Sequence, residues 1–354
     1  MIVHIFTAER YHLVPAISLS FVKLFPDFDQ LFVLKGTGKL KKDLYDNQFK
    51  EIGFENYKFC TSNNEFFKII KDHKDDAILF HCGDYRVFLR AIILGYKNLN
   101  WVCWGEGTTI GNGLKSKLVS KIRKYTYTRL SSIVTLMTPD AESIHDNFNV
   151  DKNKIKTLPY CSSRTEYDYL YGSLLNHQRE NTKPVVLMGN SPWCMKSYLN
   201  LLPMLEKFKG RITVKCMLNY SLEKNEDYYK LLELGHSIFD TDFQTCEEFY
   251  SDFKDYLNFM NSCDIYICGA EDQNGLGAIN NCLRLKKKIY LTGKNLSWIR
   301  AKGHLVCDIK DLSNIDIDSF VKKVSDEEFS YNNEVFENNK KKSIRLWREY
   351  LSSI

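Results

Sequence analysis

Two rhythms of apolar and polar positions alternate along the chain. Short, almost continuously apolar runs such as "MIVHIFT", "LFVLKG", "AILFHCG", "NWVCWGEG" and "SIVTLM" read as strands. Between them lie amphipathic stretches with helical spacing: "AISLSFVKLF", "NNEFFKIIKD", "RVFLRAIILG" and "LVSKIRKYTYTRL". Strands apolar on both faces, each followed by a helix, predict a parallel sheet covered on two sides. The pattern stops after "KIKTLPYCSS", and "EYDYLYGSLLNHQRENTKP" is polar and weakly patterned. It then restarts with "PVVLMGNS", a helix "SYLNLLPMLEKF", a strand "ITVKCML", a helix "EDYYKLLELG" and a strand "SIFD". A helix "EEFYSDFKDYLNFMNS", a strand "CDIYIC", a further helix and a strand "KKIYL" follow, and "NKKKSIRLWREYL" is a closing amphipathic helix.

The predicted organisation is one α/β unit over residues 1–162, a crossover over 163–183, a second α/β unit over 184–335 and a C-terminal helix over 336–354. Two doubly wound halves and a terminal helix resemble the GT-B glycosyltransferases, in which two Rossmann-like domains face a central cleft. Open α/β sheets bind ligands beyond the carboxyl ends of their strands. The loops after the strands therefore decide the function.

Composition removes several alternatives. At 354 residues and 44% hydrophobic, the chain has ample material for two cores. A net charge of +5 is too mild to imply nucleic acid. The 11 cysteines form no C-x-x-C pair, so no zinc site is expected, and their place in apolar runs fits a reducing cytoplasm. "MIVHIFTAERY" lacks the basic and apolar regions of a signal peptide, and no run reaches the about 18 apolar residues of a membrane span. "DTD" at Asp240–Asp242 is read as turn and cap chemistry between a strand and a helix; no metal and no cofactor are expected.

The richest loop is "GAEDQNGLG", between an apolar strand and a helix. Gly275 and Gly277 allow a phosphate close to the backbone, and the helix beginning near Leu276 presents its positive end. The amides of Gln273 and Asn274 can donate to phosphate oxygens, and Glu271 or Asp272 can accept from sugar hydroxyls. No G-x-G-x-x-G follows a strand, which disfavours a dinucleotide. Gly189-Asn190-Ser191 follows the first strand of the second half and fits either an anion site or a capped turn.

In the first half, Glu106 in "WGEG", His81 and Asp84 in "HCGDYR", and Glu9, Arg10 and His12 in "TAERYH" follow strands that open onto one sheet edge. A carboxylate there can serve as general base to an acceptor hydroxyl, Glu106 first because glycines flank it. Further on, "LKSKLVSKIRKYTYTRL" carries Lys117, Lys121 and Lys124 among other cations and no acid. It fits either a helix lying on an anionic leaflet or a core helix with a solvated basic face.

An ordered series of short elements resembles the bacterial family 56 glycosyltransferases over most of the chain. "VVLMGNS" matches the family's strand–GNS–helix, Asn219-Tyr220 stands at a Gly-Tyr-like loop, and Gln273, Gly275 and Gly277 match Gln-x-Gly-x-Gly. Asn295 and Trp298 match Asn-x-x-Trp, Trp104-Gly105 a Trp-Gly pair, and Phe80-His81 a Phe-His pair. Tyr160 and Arg164 match Tyr-x-x-(Ser/Thr)-Arg at the crossover, and the basic segment recurs. Two departures stand out. The family's acid falls one position after Glu106, and Glu271-Asp272 has no counterpart.

The resemblance implies a hexosyltransferase that moves a deoxysugar from a nucleotide donor, dTDP-4-acetamido-4,6-dideoxygalactose or a related sugar, to a lipid-linked oligosaccharide. The product would belong to O-antigen (lipopolysaccharide) or common-antigen synthesis, and the enzyme would be peripheral on the inner face of the cytoplasmic membrane. Donor contacts are expected from Gly189, Asn190, Ser191, Asn219, Tyr220, Arg164 and the loop from Glu271 to Gly277. Inversion would use Glu106; retention by a front-side route needs no base. A non-hydrolysing nucleotide-sugar epimerase and a non-catalytic two-lobed binding protein are the rival readings.

Overall fold

The computed structural model describes residues 1–354 apart from 7–13, 37–41, 44–45, 48, 51–52, 112, 162–167, 177–181, 190–194, 219–223, 249 and 251. The chain divides into two compact units. The first comprises Met1–Thr165 with Lys340–Ile354, the second Glu166–Asn339.

The first unit runs β1 (Ile2–Phe6), α1 (Val14–Leu24), β2 (Gln30–Lys35), β3 (Tyr57–Cys60), α2 (Asn63–Ile69), β4 (Ala77–His81) and α3 (Tyr85–Ile93). It continues with β5 (Asn98–Cys103), α4 (Leu114–Tyr127), β6 (Ser132–Thr135), α5 (Thr138–Phe148) and β7 (Ile155–Thr157). Among the described residues its sheet has the order β3-β2-β1-β4-β5-β6-β7, and each recorded pairing is parallel. Strand alternation sorts β1 between two cores. Val3 and Ile5 join Phe80, Phe88 and Trp101 on one face, while Ile2 and Phe6 join Phe21, Phe32 and Trp347 on the other. Both faces are covered, which explains strands that read as continuous apolar runs.

The second unit runs α6 (Asp168–Asn176), β8 (Val185–Met188), α7 (Met195–Leu205), β9 (Thr213–Met217), α8 (Glu226–Phe239), β10 (Phe243–Cys246) and α9 (Phe253–Asn261). After these come β11 (Ile265–Cys268), α10 (Leu276–Arg284), β12 (Lys288–Leu291), α11 (Gly293–Ala301), β13 (Cys307–Asp308), α12 (Ile317–Val321) and α13 (Asp326–Ser353). The sheet order is β10-β9-β8-β11-β12-β13, again parallel.

Three boundaries differ from the sequence expectation. The crossover contains α6, which belongs to the second unit: Tyr171 Oη donates to Asn281 Oδ1 at 2.7 Å, and Arg284 pairs with Asp168 at 2.6 Å. "SIFD" is not a strand. Ser237–Phe239 finishes α8, and the strand is β10, "FQTC". The terminal helix begins at Asp326, and residues 340–354 cluster with the first unit. There Trp347 is buried, lies 5.8 Å from Tyr160 with the rings nearly parallel, and donates from Nε1 to Pro159 O at 2.9 Å.

Candidate active site

Each sheet reverses its strand order once, at β1/β4 in the first unit and at β8/β11 in the second. Such a switch point opens a crevice at the carboxyl ends of the two strands. The loop after β11 is "GAEDQNGLG", so the sequence stretch richest in chemistry lies at the switch point of the second unit.

Gly275 caps α10 in a left-handed conformation, φ 68°, with no side-chain hydrogen bond to the helix. Gly277 falls in the first turn of α10, and a Cβ built there would meet nothing within 4 Å. The glycines thus have different tasks: Gly275 permits the turn, and Gly277 leaves the helix end open. The first N–H groups of any helix have no partner within it and carry its positive dipole end. Here they are uncovered by any Ser, Thr or Asp cap. Gln273, Asn274, Gly275 and Leu276 are half-buried, and Glu271 and Asp272 are exposed.

Gly189, with φ 75°, directly follows β8, the other strand of the switch point. A Cβ there would fall 1.6 Å from Tyr198 Oη, the hydroxyl that donates to Met217 O at 3.0 Å. Gly269 is confined likewise, 2.8 Å from Leu201 Cδ1. Both glycines let α7 pack close beneath the sheet edge. Asn190, Ser191, Asn219, Tyr220 and Arg164 lie outside the described residues, as do Glu9, Arg10 and His12.

In the first unit the loops after β4 and β5 share one edge, since Phe80 pairs with Trp101 and His81 with Val102 in parallel register. Glu106 is exposed between Gly105 at φ 92° and Gly107 at φ 81°. The backbone around it is pinned. Thr108 Oγ1 donates to Gly105 O at 3.1 Å, and Tyr127 Oη to Gly107 O at 3.4 Å. A tight turn therefore holds out a carboxylate at the sheet edge.

Asp84 and His81 are both engaged with protein partners, Asp84 half-buried and His81 fully buried. Asp84 caps α3, accepting from Arg86 N at 2.8 Å and from Arg86 Nε at 3.0 Å. Burial pushes its carboxyl up, but the Arg86 side chain and backbone together hold it below the ordinary carboxylate value. His81 is fully buried, with Nε2 2.9 Å from His4 Nδ1 and Nδ1 2.6 Å from Tyr160 Oη. Trp104 Nε1 donates to the same hydroxyl at 2.9 Å. Burial, then the neighbouring His4, lower the His81 pKa well below that of a free imidazole. A neutral imidazole with both nitrogens engaged and closed to solvent supports Tyr160 and Trp104, next to the Glu106 turn.

In α4, Leu114, Lys117, Leu118, Lys121 and Lys124 are exposed, whereas Val119 and Ile122 are half-buried and Thr126 and Tyr127 buried. Leu114 and Leu118 are 87% and 62% exposed, which makes the outward stripe a mixture of leucine and lysine. Among the described residues no ion pair joins Lys117, Lys121 or Lys124 to a carboxylate. Asp240 and Asp242 form a 3-10 turn before the amino end of β10, with Asp242 paired to Lys183 at 2.6 Å. That edge is opposite the strand ends carrying the loops. Among the described residues no group of three His, Cys, Asp or Glu side chains is arranged to hold a metal, and no helix is long and apolar enough to cross a membrane.

The structure adds Gly293, beside the β11 loop, which sequence reasoning missed, and gives places to Asn295, beside the same loop, and Tyr160, behind Trp104, which the sequence marked only as matches to family elements. The signal for the first two was present, a glycine and an amide directly after the strand "KKIYL".

A family model described as 4-alpha-L-fucosyltransferase glycosyl transferase group 56 matches residues 31–306. No curated protein matches the chain. Among solved structures, Anabaena HepE in complex with UDP-glucose is similar with a TM-score of 0.69 at 13% identity, over 100% of both chains. A glycosyltransferase from Rickettsia africae gives 0.66 at 15% identity, over 99% of this chain and 98% of that one. The UDP-GlcNAc 2-epimerase from Neisseria meningitidis gives 0.53 at 12% identity, over 100% of both. At these identities the likeness establishes the fold, that of the GT-B glycosyltransferases.

Proposed function

The chain belongs to the 4-alpha-L-fucosyltransferase glycosyl transferase group 56 family and is a glycosyltransferase acting with a nucleotide-activated sugar; from that premise we propose that its second unit holds the donor diphosphate at the β8/β11 switch point. One observation carries this. The loop Gly269–Gly275 ends in a left-handed glycine, and α10 starts behind it with an uncapped end and open space at Gly277. Backbone N–H groups aimed from a helix start suit the charge that gathers on a leaving nucleoside diphosphate as the glycosidic bond breaks. Gln273 donates to the phosphates, Glu271 or Asp272 accepts from sugar hydroxyls, and no metal takes part.

The donor sugar is a deoxysugar of the dTDP-4-acetamido-4,6-dideoxygalactose kind. The first unit takes a lipid-diphosphate-linked oligosaccharide, and Glu106 removes the proton of the acceptor hydroxyl if the reaction inverts. The acceptor's lipid implies work at a membrane surface, and the Lys117, Lys121 and Lys124 stripe with Leu114 and Leu118 suits an anionic leaflet. Bacterial surface polysaccharide, O-antigen or common antigen, is the product class. The epimerase alternative shares the fold, but the family match favours transfer. Thermal shift across a panel of UDP-, GDP- and dTDP-sugars tests the donor assignment. One nucleotide class stabilises the protein in proportion to the logarithm of its concentration above Kd. A flat response to every nucleotide at millimolar concentration overturns the donor site.

A further inference from the structure

Asn295, in the first turn of α11, is fully buried, and both ends of its amide meet one residue of the β11 loop. Nδ2 donates to Asn274 O at 2.8 Å, and Oδ1 accepts from Asn274 N at 3.4 Å. The same turn grips the loop at two more residues. Lys294 N donates to Glu271 O at 2.9 Å, Thr292 Oγ1 to Glu271 Oε1 at 3.3 Å, and Lys294 Nζ lies 3.1 Å from Asp272 Oδ1. Gly293 makes this approach possible. Its φ is 56°, and a Cβ there would come within 2.3 Å of Glu271 O, a position open only to glycine.

Asn274 immediately precedes Gly275, the cap of α10. Gly275 offers no side chain to cover the first N–H groups of α10, which point out along the helix axis towards the loop. The Asn274–Gly275 backbone leads into that helix end and decides where it and the loop N–H groups beside it stand, and Asn295 holds this backbone from the neighbouring turn. The grip on Glu271 and Asp272 also draws both carboxylates towards Thr292 and Lys294, which tempers their repulsion of an anion bound at α10.

We propose that Asn295 is a positioning residue for the donor diphosphate: its buried amide sets the Asn274–Gly275 backbone, and with it the anion-binding N–H groups of α10, before the ligand arrives. The inference rests on the reading that this loop binds the donor. Its advantage is preorganisation, since donors already aimed need no ordering when the ligand binds.

The test uses the full chain with Asn295→Ala, Asn295→Asp and, as a reference for the loop itself, Gln273→Ala. Calorimetric titration with UDP and with dTDP is run where circular dichroism shows each unliganded variant folded. Hydrogen exchange is followed over residues 269–277, and donor KM is compared with kcat. Asn295→Ala should raise the Kd of the bound nucleoside diphosphate tenfold or more, raise donor KM in parallel, leave acceptor KM unchanged and speed exchange in 269–277. Asn295→Asp keeps the shape and the acceptor but loses the N–H donor. Its affinity should be low at pH 8 and recover as pH falls through the pKa of the new carboxyl, because the protonated acid donates again. A residue that only stabilises the fold would lower Tm and leave Kd and its pH dependence as in wild type. If Asn295→Ala does not fold, the pH profile of Asn295→Asp decides. Wild-type affinity in the folded Asn295 variants with weakened binding in Gln273→Ala overturns the role of Asn295 and leaves the loop assignment standing. Wild-type affinity in all three overturns the loop assignment and this inference together, as does a wild type that binds neither probe and gives no thermal shift with the UDP-, GDP- and dTDP-sugar panel at millimolar concentration.

Discussion

At the scale of single residues, the two glycines of the β11 loop differ in what their places require. Positive φ falls on Gly275, and Gly277 is helical with free space around it. Gly277→Val therefore introduces no backbone strain, and in the first turn of a helix it lessens the entropic cost of glycine. The unliganded variant should melt at or slightly above the wild-type Tm while donor binding is lost, which thermal shift with and without nucleotide measures together. Gln273→Ala should raise donor Kd by a few-fold to a hundred-fold, about 1–3 kcal/mol for a lost hydrogen bond to a charged group. Glu106→Gln keeps the size of an exposed side chain and removes its ability to take a proton. It should fold normally and lose turnover, and a kcat near wild type would eliminate it as the base. His4 carries a pH signature of a different kind. It is buried, and burial lowers its pKa to about 3, with Gln30 opposing. An unfolded imidazole titrates near 6.5, so the folded value is the depressed one. The stability is complete above pH about 6.5 and declines as pH falls from there towards 3, because the unfolded chain binds a proton that the fold refuses. At pH 5 the loss from this residue is about 2 kcal/mol. Urea melts at pH 7 and 5 should differ by less, by about that amount, in His4→Leu than in wild type.

At the scale of elements, two helices make contrasting use of amphipathic patterns. Charge reversal of Lys117, Lys121 and Lys124 to Glu in α4 should cut binding to vesicles containing anionic lipid tenfold or more and leave nucleotide affinity unchanged. Sedimentation at low and physiological salt reads the difference, and unaltered vesicle binding would assign the stripe to solvent. The end of α13 is a packing element. Trp347 is buried against Tyr160 and Phe21, and Tyr350 Oη lies 2.6 Å from Ser132 Oγ. Trp347→Ala should cost about 3–5 kcal/mol of unfolding free energy, the range for emptying a large aromatic site, seen as a lower denaturant midpoint. The strands β3 and β10 were not legible in the sequence. "YKFC" and "FQTC" are short and mix polar with apolar positions, and the pairing that makes them strands comes from β2 and β9. "SIFD" misled for the opposite reason, since two adjacent large apolar residues, Ile238 and Phe239, at a helix end have the appearance of a short strand.

At the scale of the whole molecule, activity is expected to survive chelation. Complete loss in EDTA, restored by Mg²⁺ or Mn²⁺, would reverse that and return attention to the carboxylates. The sequence by itself determined the two parallel α/β units, because continuous apolar strands separated by amphipathic helices have no other economical way to be covered on both faces. It also singled out "GAEDQNGLG" as the loop where glycines, amides and carboxylates gather between a strand and a helix. Tertiary structure decided the surroundings of each candidate group. His81 and Asp84 look like Glu106 in the sequence, each polar and just past a strand. Only packing shows His81 enclosed by His4 and Tyr160 and Asp84 held by Arg86, while Glu106 stands exposed between two left-handed glycines. Strand order likewise brings Gly189 beside the β11 loop across a long stretch of intervening chain, and β12 sets Asn295 against Asn274. Local pattern reports how a residue meets its chain neighbours. Burial, hydrogen bonding and approach to a ligand depend on residues remote in the chain, and the fold alone brings those together.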